Sequence, residues 1–175
     1  MSALAHDPRR RLLLSAGAGL LIPAAWAARV RAAGGPIEIA MSGTATGSET
    51  WFRPRGLLIQ PGQAVRWVNK DQGNVHTSTA YHPDNGKPRR VPPDAKSWNS
   101  DYLLPGQSFV MVFDVPGVYD FFCMPHEHAG MVGRIVVGPV QASAPPYAGT
   151  DALLPGAAVA HFPTIADILA HSPIE

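Results

Sequence analysis

The residues best suited to chemistry lie in one short segment, Cys-Met-Pro-His-Glu-His-Ala-Gly-Met at 123–131, which holds the only cysteine of the 175-residue chain. Cys123, His126 and Met131 offer a thiolate, an imidazole and a thioether within these nine residues. Soft sulfur ligands beside imidazole suit copper, and two His, one Cys and a weak axial Met make a one-electron copper centre. The segment therefore predicts electron transfer, provided that the fold supplies a second imidazole.

The single cysteine limits the other roles that this residue could have. It excludes an intramolecular disulfide and a zinc site with two or four thiolates. A zinc site with one Cys and two His stays open, as do a nucleophilic Cys with a His base and a buried, inert thiol. The short spacing between Cys123 and His126 favours two ligands of one ion, because a nucleophile and its base usually lie far apart in sequence.

The second imidazole has to come from elsewhere in the chain. His76 is the best candidate, because it follows a predicted strand at 65–69 by one short turn and precedes a β-prone Thr-Ser-Thr stretch. His82 follows on a polar loop, where we expect an exposed side chain, although a role as an auxiliary ligand stays open. His161 and His171 belong to the C-terminal tail and are expected to be plain surface residues.

The first 34 residues are predicted to be a targeting segment. Three arginines at 9–11 precede an apolar stretch that ends at Trp26, an order that resembles a bacterial twin-arginine signal. The stretch is too short to span a bilayer comfortably, so we expect a cleaved signal, a periplasmic protein and no stable membrane insertion. Removing residues 1–32 changes the formal charge from +1 to −3, which leaves no basic field to attract nucleic acid.

The remaining chain begins with one β-rich domain at 35–139. Short apolar or alternating runs separated by Pro-Gly pairs predict brief strands at 36–41, 56–60, 65–69, 108–113, 118–123 and 131–137. This pattern is typical of an all-β Greek-key sandwich or barrel. Tyr119, Phe121 and Cys123 share one face of their strand, so the thiol should extend an inward-facing aromatic row at one end of the sandwich.

Two regions depart from the strand pattern. Residues 82–107 are polar and Pro-rich and carry Lys87, Arg89, Arg90 and Lys96; a solvated insertion is the preferred interpretation, and a basic surface facing a partner is the alternative. Residues 140–175 form an Ala/Pro-rich tail, in which 142–146 and 155–160 indicate a linker and 164–171 has the apolar spacing of a short helix.

These segments resemble the cupredoxins of the plastocyanin/pseudoazurin/amicyanin group. The similarity covers roughly residues 36–138, and it rests on Trp-Val-Asn-Lys-Asp at 67–71 leading to His76, on Pro-Gly at 105–106 and on 119–138 around the cysteine. The resemblance implies a cupredoxin fold and a type 1 site for one Cu(I)/Cu(II) ion. Its ligands would be His76, Cys123, His126 and Met131.

The spacing of the loop separates the subtypes of this family. Azurin-like loops have the spacing Cys-x₄-His-x₃-Met, which would select His128 and place Val132 where the methionine belongs. The shorter Cys-x₂-His-x₄-Met spacing satisfies both His126 and Met131. We therefore expect His128 to be a neighbour of the site and not a ligand.

The resemblance also implies a function. It predicts a monomeric carrier of single electrons that docks transiently with redox partner proteins near His126, and no catalytic residues. A copper-delivery protein is the alternative, supported by Met124 and Met131 near the site. An enzyme is not expected, because copper oxidases of this fold flank the thiolate with histidines, whereas Phe122 and Met124 flank Cys123 here.

Overall fold

The structure is a computed structural model that describes residues 35–141 and 147–175. The predicted targeting segment at 1–34 and the predicted linker at 142–146 lie outside the described residues. The described ranges contain eight strands and two short α-helices: β1 (Ile37–Gly43), β2 (Thr50–Arg53), β3 (Gly56–Ile59), β4 (Gln63–Asn69), β5 (Thr79–Ala80), β6 (Ser108–Phe113), β7 (Gly117–Phe122), β8 (Val132–Val137), α1 (Gly156–His161) and α2 (Ile165–His171). Within the described ranges, no helix has the length and apolar character that crossing a membrane requires.

The strands form two four-stranded sheets, ordered β2-β1-β4-β6 and β3-β8-β7-β5. The pairs β1–β4 and β3–β8 are parallel, and the other pairs are antiparallel. Neighbours such as β3 and β8 are distant in sequence, so the chain crosses repeatedly between the sheets. The predicted all-β sandwich is confirmed, and its β6 strand has the bounds that the sequence indicates.

The core between the sheets consists largely of aromatic side chains. Trp67 on β4 is fully buried, and its ring centroid lies 5.5 Å from that of Phe121 in an edge-on arrangement. Tyr119, Phe121 and Cys123 are all buried in this same cluster, as the alternation along β7 predicts. The cysteine therefore lies where the aromatic core ends and the chain leaves the sheet.

The interpretation of residues 82–107 as a solvated insertion is wrong. Val91, Trp98 and Leu103 are buried in the main core, and Trp98 packs 6.1 Å from Trp67 between ring centroids. The indole N–H of Trp98 also donates a hydrogen bond to Ser78 Oγ at 3.0 Å. Val91 and Trp98 are single apolar residues among polar and proline residues, so they have no period of 2 or 3.6 that the sequence could reveal.

A buried ion cluster connects this segment and the tail to the second sheet. Asp120 on β7 accepts hydrogen bonds from Arg90 at 2.9 Å and from Arg134 at 2.7 and 2.9 Å. Arg90 also donates to Asp151 of the tail at 2.5 Å, and Arg134 donates to the carbonyl of Pro163 at 2.8 Å. Arg90 is thus a buried structural cation, and its assignment to a basic surface is wrong.

The tail packs against the domain along both of its helices. The predicted helix at 164–171 is confirmed as α2, which buries Ile165 and Ile168. The linker interpretation of 155–160 is wrong, because α1 forms there and buries Ala158 beside Phe122. A helix of Ala and Gly residues lets the backbone approach closely, but those small side chains give no amphipathic signal.

We predict that Trp98→Ala lowers the free energy of unfolding of the apo-protein by about 3–5 kcal/mol, since it removes a large buried ring and leaves a cavity. Urea unfolding measures this loss. Leu104→Ala is the matched control, because that side chain is 53% exposed on the same segment and its loss should stay within about 0.5 kcal/mol. A Trp98→Ala loss as small as the control would contradict the placement of this segment in the core.

Candidate metal centre

Three of the predicted site residues converge at one end of the sandwich. Cys123 Sγ lies 3.6 Å from His76 Nδ1 and 3.4 Å from His126 Nδ1, and all three ligand atoms lie within 4.8 Å of one another. His76 and Cys123 are fully buried, whereas His126 is half-buried. The set therefore has two ligands in the dry core and one at the protein surface.

The elements around the site fix the backbone of each candidate ligand. His76 lies between β4 and β5, where its N–H and C=O pair with the backbone of Leu103 at 3.2 and 2.8 Å. Cys123 directly follows β7, and its N–H donates to Met131 O at 3.0 Å. Residues 123–131, from Cys123 to Met131, form the ligand loop, which includes a 3₁₀ helix at Met124–Ala129. In this loop the N–H of Met131 donates to His126 O at 3.1 Å.

Asp71 fixes the tautomer and the orientation of the His76 ring. Burial opposes its ionisation, but hydrogen bonds from Gly73, Asn74 and His76 lower the pKa of Asp71 to about 2. The carboxylate therefore accepts a hydrogen bond from His76 Nε2–H at 3.1 Å, the only proton of the neutral ring. His76 Nδ1 then carries a lone pair, and this is the atom that faces Cys123 Sγ.

The Cys123 sulfur is buried but has a polar partner. Burial raises the pKa of the Cys123 thiol to about 11, although the Thr77 N–H, which donates to Sγ at 3.3 Å, acts in the opposite direction. The free thiol is therefore protonated at neutral pH, and metal binding has to displace that proton. Thr77 also accepts a hydrogen bond from the Met124 N–H through Oγ1 at 2.9 Å, which connects both sides of the site.

Both imidazoles are in the form that a metal requires. Burial lowers the pKa of His76, and it also lowers the pKa of His126, where the nearby His76 acts in the same direction. Each ring is thus neutral at pH 7 and has a lone pair available. The rings lie 4.9 Å apart between centroids, so they flank one shared space.

The geometry of these three atoms fits a first-row transition metal. Metal bonds of about 2.3 Å to sulfur and about 2.0 Å to nitrogen at 120° would separate the sulfur from each nitrogen by about 3.7 Å. The observed separations of 3.4 and 3.6 Å are close to that value before any adjustment. Two neutral imidazoles with one thiolate are also the donor set of a trigonal copper site.

The family comparison identifies the metal. The sequence model described as "Copper binding proteins, plastocyanin/azurin family" matches residues 39–138. The chain belongs to this family. The resemblance to cupredoxins is thereby confirmed, and one copper ion is the cofactor of this cupredoxin.

Individual relatives agree with this assignment. The chloroplastic plastocyanin of Tetradesmus obliquus is 39% identical over 87 residues, which is 49% of this chain and 57% of that protein. The pseudoazurin of Methylorubrum extorquens is 33% identical over 110 residues, or 61% of this chain and 65% of the relative. A solved pseudoazurin from Sinorhizobium has a TM-score of 0.52 at 28% identity, covering 71% of this chain and 89% of that one.

Met131 is the fourth residue that the sequence singles out. Its side chain is fully buried in the core cluster that also contains Cys123. The two residues are bonded through their backbones, because the Cys123 N–H donates to Met131 O. This placement is compatible with the predicted axial thioether, and that assignment belongs to the functional proposal below.

The other two histidines considered for the site lie apart from the ligand group. His82 was expected to be exposed, and this is wrong, because it is only 6% exposed and its Nδ1 accepts a hydrogen bond from the Asp84 N–H at 3.1 Å. It caps the start of the 3₁₀ helix Pro83–Asn85. His128 is exposed on the ligand loop and is not among the three converging ligands.

Sequence reasoning missed several residues that support the ligands. Asp71 precedes His76 by five residues in a turn, a carboxylate position that could have signalled a partner for the imidazole. Glu127 is adjacent to His126 but is buried, which nothing in its polar surroundings in the sequence suggests. His161 is exposed, as expected, but its ring also lies against Gly130 of the ligand loop. Only the folded tail brings that contact about.

We predict that Asp71→Asn lowers the affinity for Cu(II) about 10–100-fold, because the His76 ring loses the carboxylate that fixes its tautomer and raises its basicity. Competition with a chromophoric chelator measures the affinity. Asp84→Asn is the matched control, since Asp84 contacts the ring of His82, which is not a ligand, and is 71% exposed. Equal affinities of the two variants would contradict this role of Asp71.

We also predict that Gly130→Ala destabilises the apo-protein by more than Gly86→Ala does. Both glycines have left-handed backbones, with φ of 85° and 69°, so each substitution has a backbone cost of about 1–2 kcal/mol. A Cβ at Gly86 would meet nothing within 4 Å, whereas at Gly130 it would lie 2.6 Å from His161 Nδ1. In urea unfolding, the excess cost should disappear in a His161→Ala background. An excess that persists there would contradict the contact.

Proposed function

We propose that this cupredoxin is a periplasmic, mononuclear type 1 copper protein that carries single electrons between redox partner proteins. His76, Cys123, His126 and Met131 are its proposed ligands. The observation that carries the proposal is the convergence of His76 Nδ1, Cys123 Sγ and His126 Nδ1 at one end of the sandwich. Family membership supports the copper-binding, electron-carrying part of the proposal.

The bound copper ion would supply one-electron redox chemistry. The residues of the chain restrict the movement of the proposed ligands and exclude water from the site while the charge of the copper ion changes. His76 is fixed by Asp71 and Leu103, and Cys123 is fixed by Thr77 and Met131. Since these contacts are made by buried backbone and side-chain groups, the ligands should move little when an electron arrives, which keeps the barrier to transfer low.

His126 is the proposed point of electron exchange. It is half-buried, whereas His76 and Cys123 are fully enclosed. Tyr102, Leu104 and Met124 are large, exposed apolar residues. Tyr102 and Leu104 flank Leu103, whose backbone pairs with His76, and Met124 directly follows Cys123. We expect these exposed apolar residues to contribute to a small, transient interface with a redox partner.

The arrangement supports a carrier more than the two alternatives. In the described part of the chain, His76, Cys123 and His126 are the one group of such side chains that could hold a metal, and none of the three is well exposed. A delivery protein needs ligands that a partner can reach, and a copper oxidase needs further metal groups. The periplasmic location rests on the arginine-led apolar segment at 1–34.

The copper-loaded protein tests the proposal. We expect a strong thiolate-to-Cu(II) charge-transfer band in the visible spectrum and a reversible one-electron wave. Cys123→Ser should abolish the band, because it removes the thiolate that gives rise to the absorption. Met124→Leu is the matched control, since it removes the neighbouring exposed sulfur and should keep the band.

Other results would favour copper delivery or contradict the proposed site. Colourless protein that binds Cu(I) and releases it readily to chelators would favour copper delivery. Loss of Cu(I) binding in Met124→Leu would strengthen that alternative, because it would make the exposed thioether a ligand. A spectrum unchanged by Cys123→Ser would contradict the proposed site outright.

A further inference from the structure

The ligand loop contains a buried carboxylate that the proposed copper site does not use. Glu127 directly follows the ligand His126 and is only 3% exposed. A carboxylate is seldom so buried unless it is paired. Its Oε1 accepts a hydrogen bond from the Tyr81 hydroxyl at 3.0 Å, and its Oε2 pairs with Lys87 Nζ.

Both partners of Glu127 come from a segment remote in sequence. Tyr81 directly follows β5 and is fully buried, and burial together with Glu127 raises its pKa, so the hydroxyl keeps its proton. Lys87 lies six residues further on, and its ammonium group lies 5.1 Å from the centroid of the Phe122 ring. The carboxylate therefore connects the chain after β5 to the loop that carries His126.

The tail packs into the same region. Tyr81, Phe122 and Ala158 of α1 are buried in one cluster. The ring of His161 at the end of α1 lies against Gly130. The ligand loop thus contacts both α1 and the residues after β5, and Glu127 is the one charged side chain within residues 123–131.

We propose that Glu127 is a positioning residue for the copper ligand His126, and that Lys87 neutralises the Glu127 charge beside the metal. The inference rests on the proposed function. Because Glu127 and His126 are consecutive in a 3₁₀ turn, fixing the carboxylate also restricts where the imidazole can lie. Because Glu127 is buried and the Lys87 side chain is only 28% exposed, an unbalanced charge there would act on the metal through a medium of lower effective dielectric constant than bulk water.

The alternative is that Tyr81, Lys87 and Glu127 stabilise the fold and do nothing else. Measurements of stability alone cannot distinguish a positioning role from a purely structural one, since mutating these residues would destabilise the protein in either case. The reduction potential distinguishes the two roles. If the residues only stabilised the fold, removing the positive charge of Lys87 and removing the negative charge of Glu127 would not shift the potential in opposite directions. Mobility of the loop in the metal-free protein gives a second readout that does not depend on copper.

The first experiment measures the reduction potential of copper-loaded variants at fixed pH and ionic strength. Lys87→Met leaves the carboxylate unbalanced, which favours Cu(II), so the potential should fall. Glu127→Gln leaves the lysine unbalanced, so the potential should rise, and the double variant should return towards the wild type. Lys96→Met is the matched control, an exposed cation of the same polar segment, and should leave the potential unchanged.

The second experiment measures amide hydrogen exchange in the apo-protein. The Met131 N–H donates to His126 O, so its exchange reports opening of the loop. Tyr81→Phe should accelerate it about tenfold or more, as expected for losing a hydrogen bond to a charged group. Tyr119→Phe is the control, since it removes a buried hydroxyl that donates to Val115 O at 2.6 Å, away from the ligand loop; it should leave this amide unchanged.

The results separate failure of this inference from failure of the proposed function. If the wild type shows the charge-transfer band but the Lys87 and Glu127 variants shift the potential no more than Lys96→Met, the charge-balancing role is wrong. If Tyr81→Phe exchanges like Tyr119→Phe, the positioning role is wrong. If the wild type shows no band, the proposed function fails, and the exchange experiment still tests positioning. Should Glu127→Gln not fold, Lys87→Met and Tyr81→Phe suffice.

Discussion

The hydrogen bond from the Thr77 N–H to the Cys123 sulfur is the contact on which the site depends most. It joins two segments that are far apart in sequence, the connection after β4 that carries His76 and the end of β7 that carries the thiolate. The Thr77 hydroxyl accepts the Met124 N–H as well, so one residue holds both segments. A thiolate in an apolar core would be costly without such a donor, and the same contact that stabilises the sulfur brings the two rings into reach.

This arrangement explains how the three candidate ligands are held near one another. Each is restrained by groups that do not bind the metal: His76 by Asp71, Cys123 by Thr77, and His126 by the backbone of the ligand loop. Little ordering entropy then has to be lost when copper binds, and little rearrangement follows a change of its charge. The buried aromatic core under Cys123 contributes rigidity rather than chemistry.

The sequence predicted the parts that follow a local rule. Alternation along β7 placed Cys123 on the inward face, and the loop spacing together with the family resemblance selected His126 over His128. The parts that it could not predict depend on contacts between distant segments. Trp98 is a single apolar residue in a polar stretch, so no periodicity marks it as core. The Asp71 contact with His76 depends on how one turn folds, and neighbouring positions in sequence do not determine a hydrogen bond.

The C-terminal tail is the clearest case of contacts that the sequence could not predict. Its small residues predicted a linker because Ala and Gly carry no amphipathic pattern. The same small residues let α1 approach the ligand loop closely enough for the His161 ring to lie against Gly130. The buried Asp120 cluster holds the tail to the second sheet through Arg90 and Arg134. The tail thus belongs to the environment of the metal site, although it lies beyond the residues that the family pattern covers.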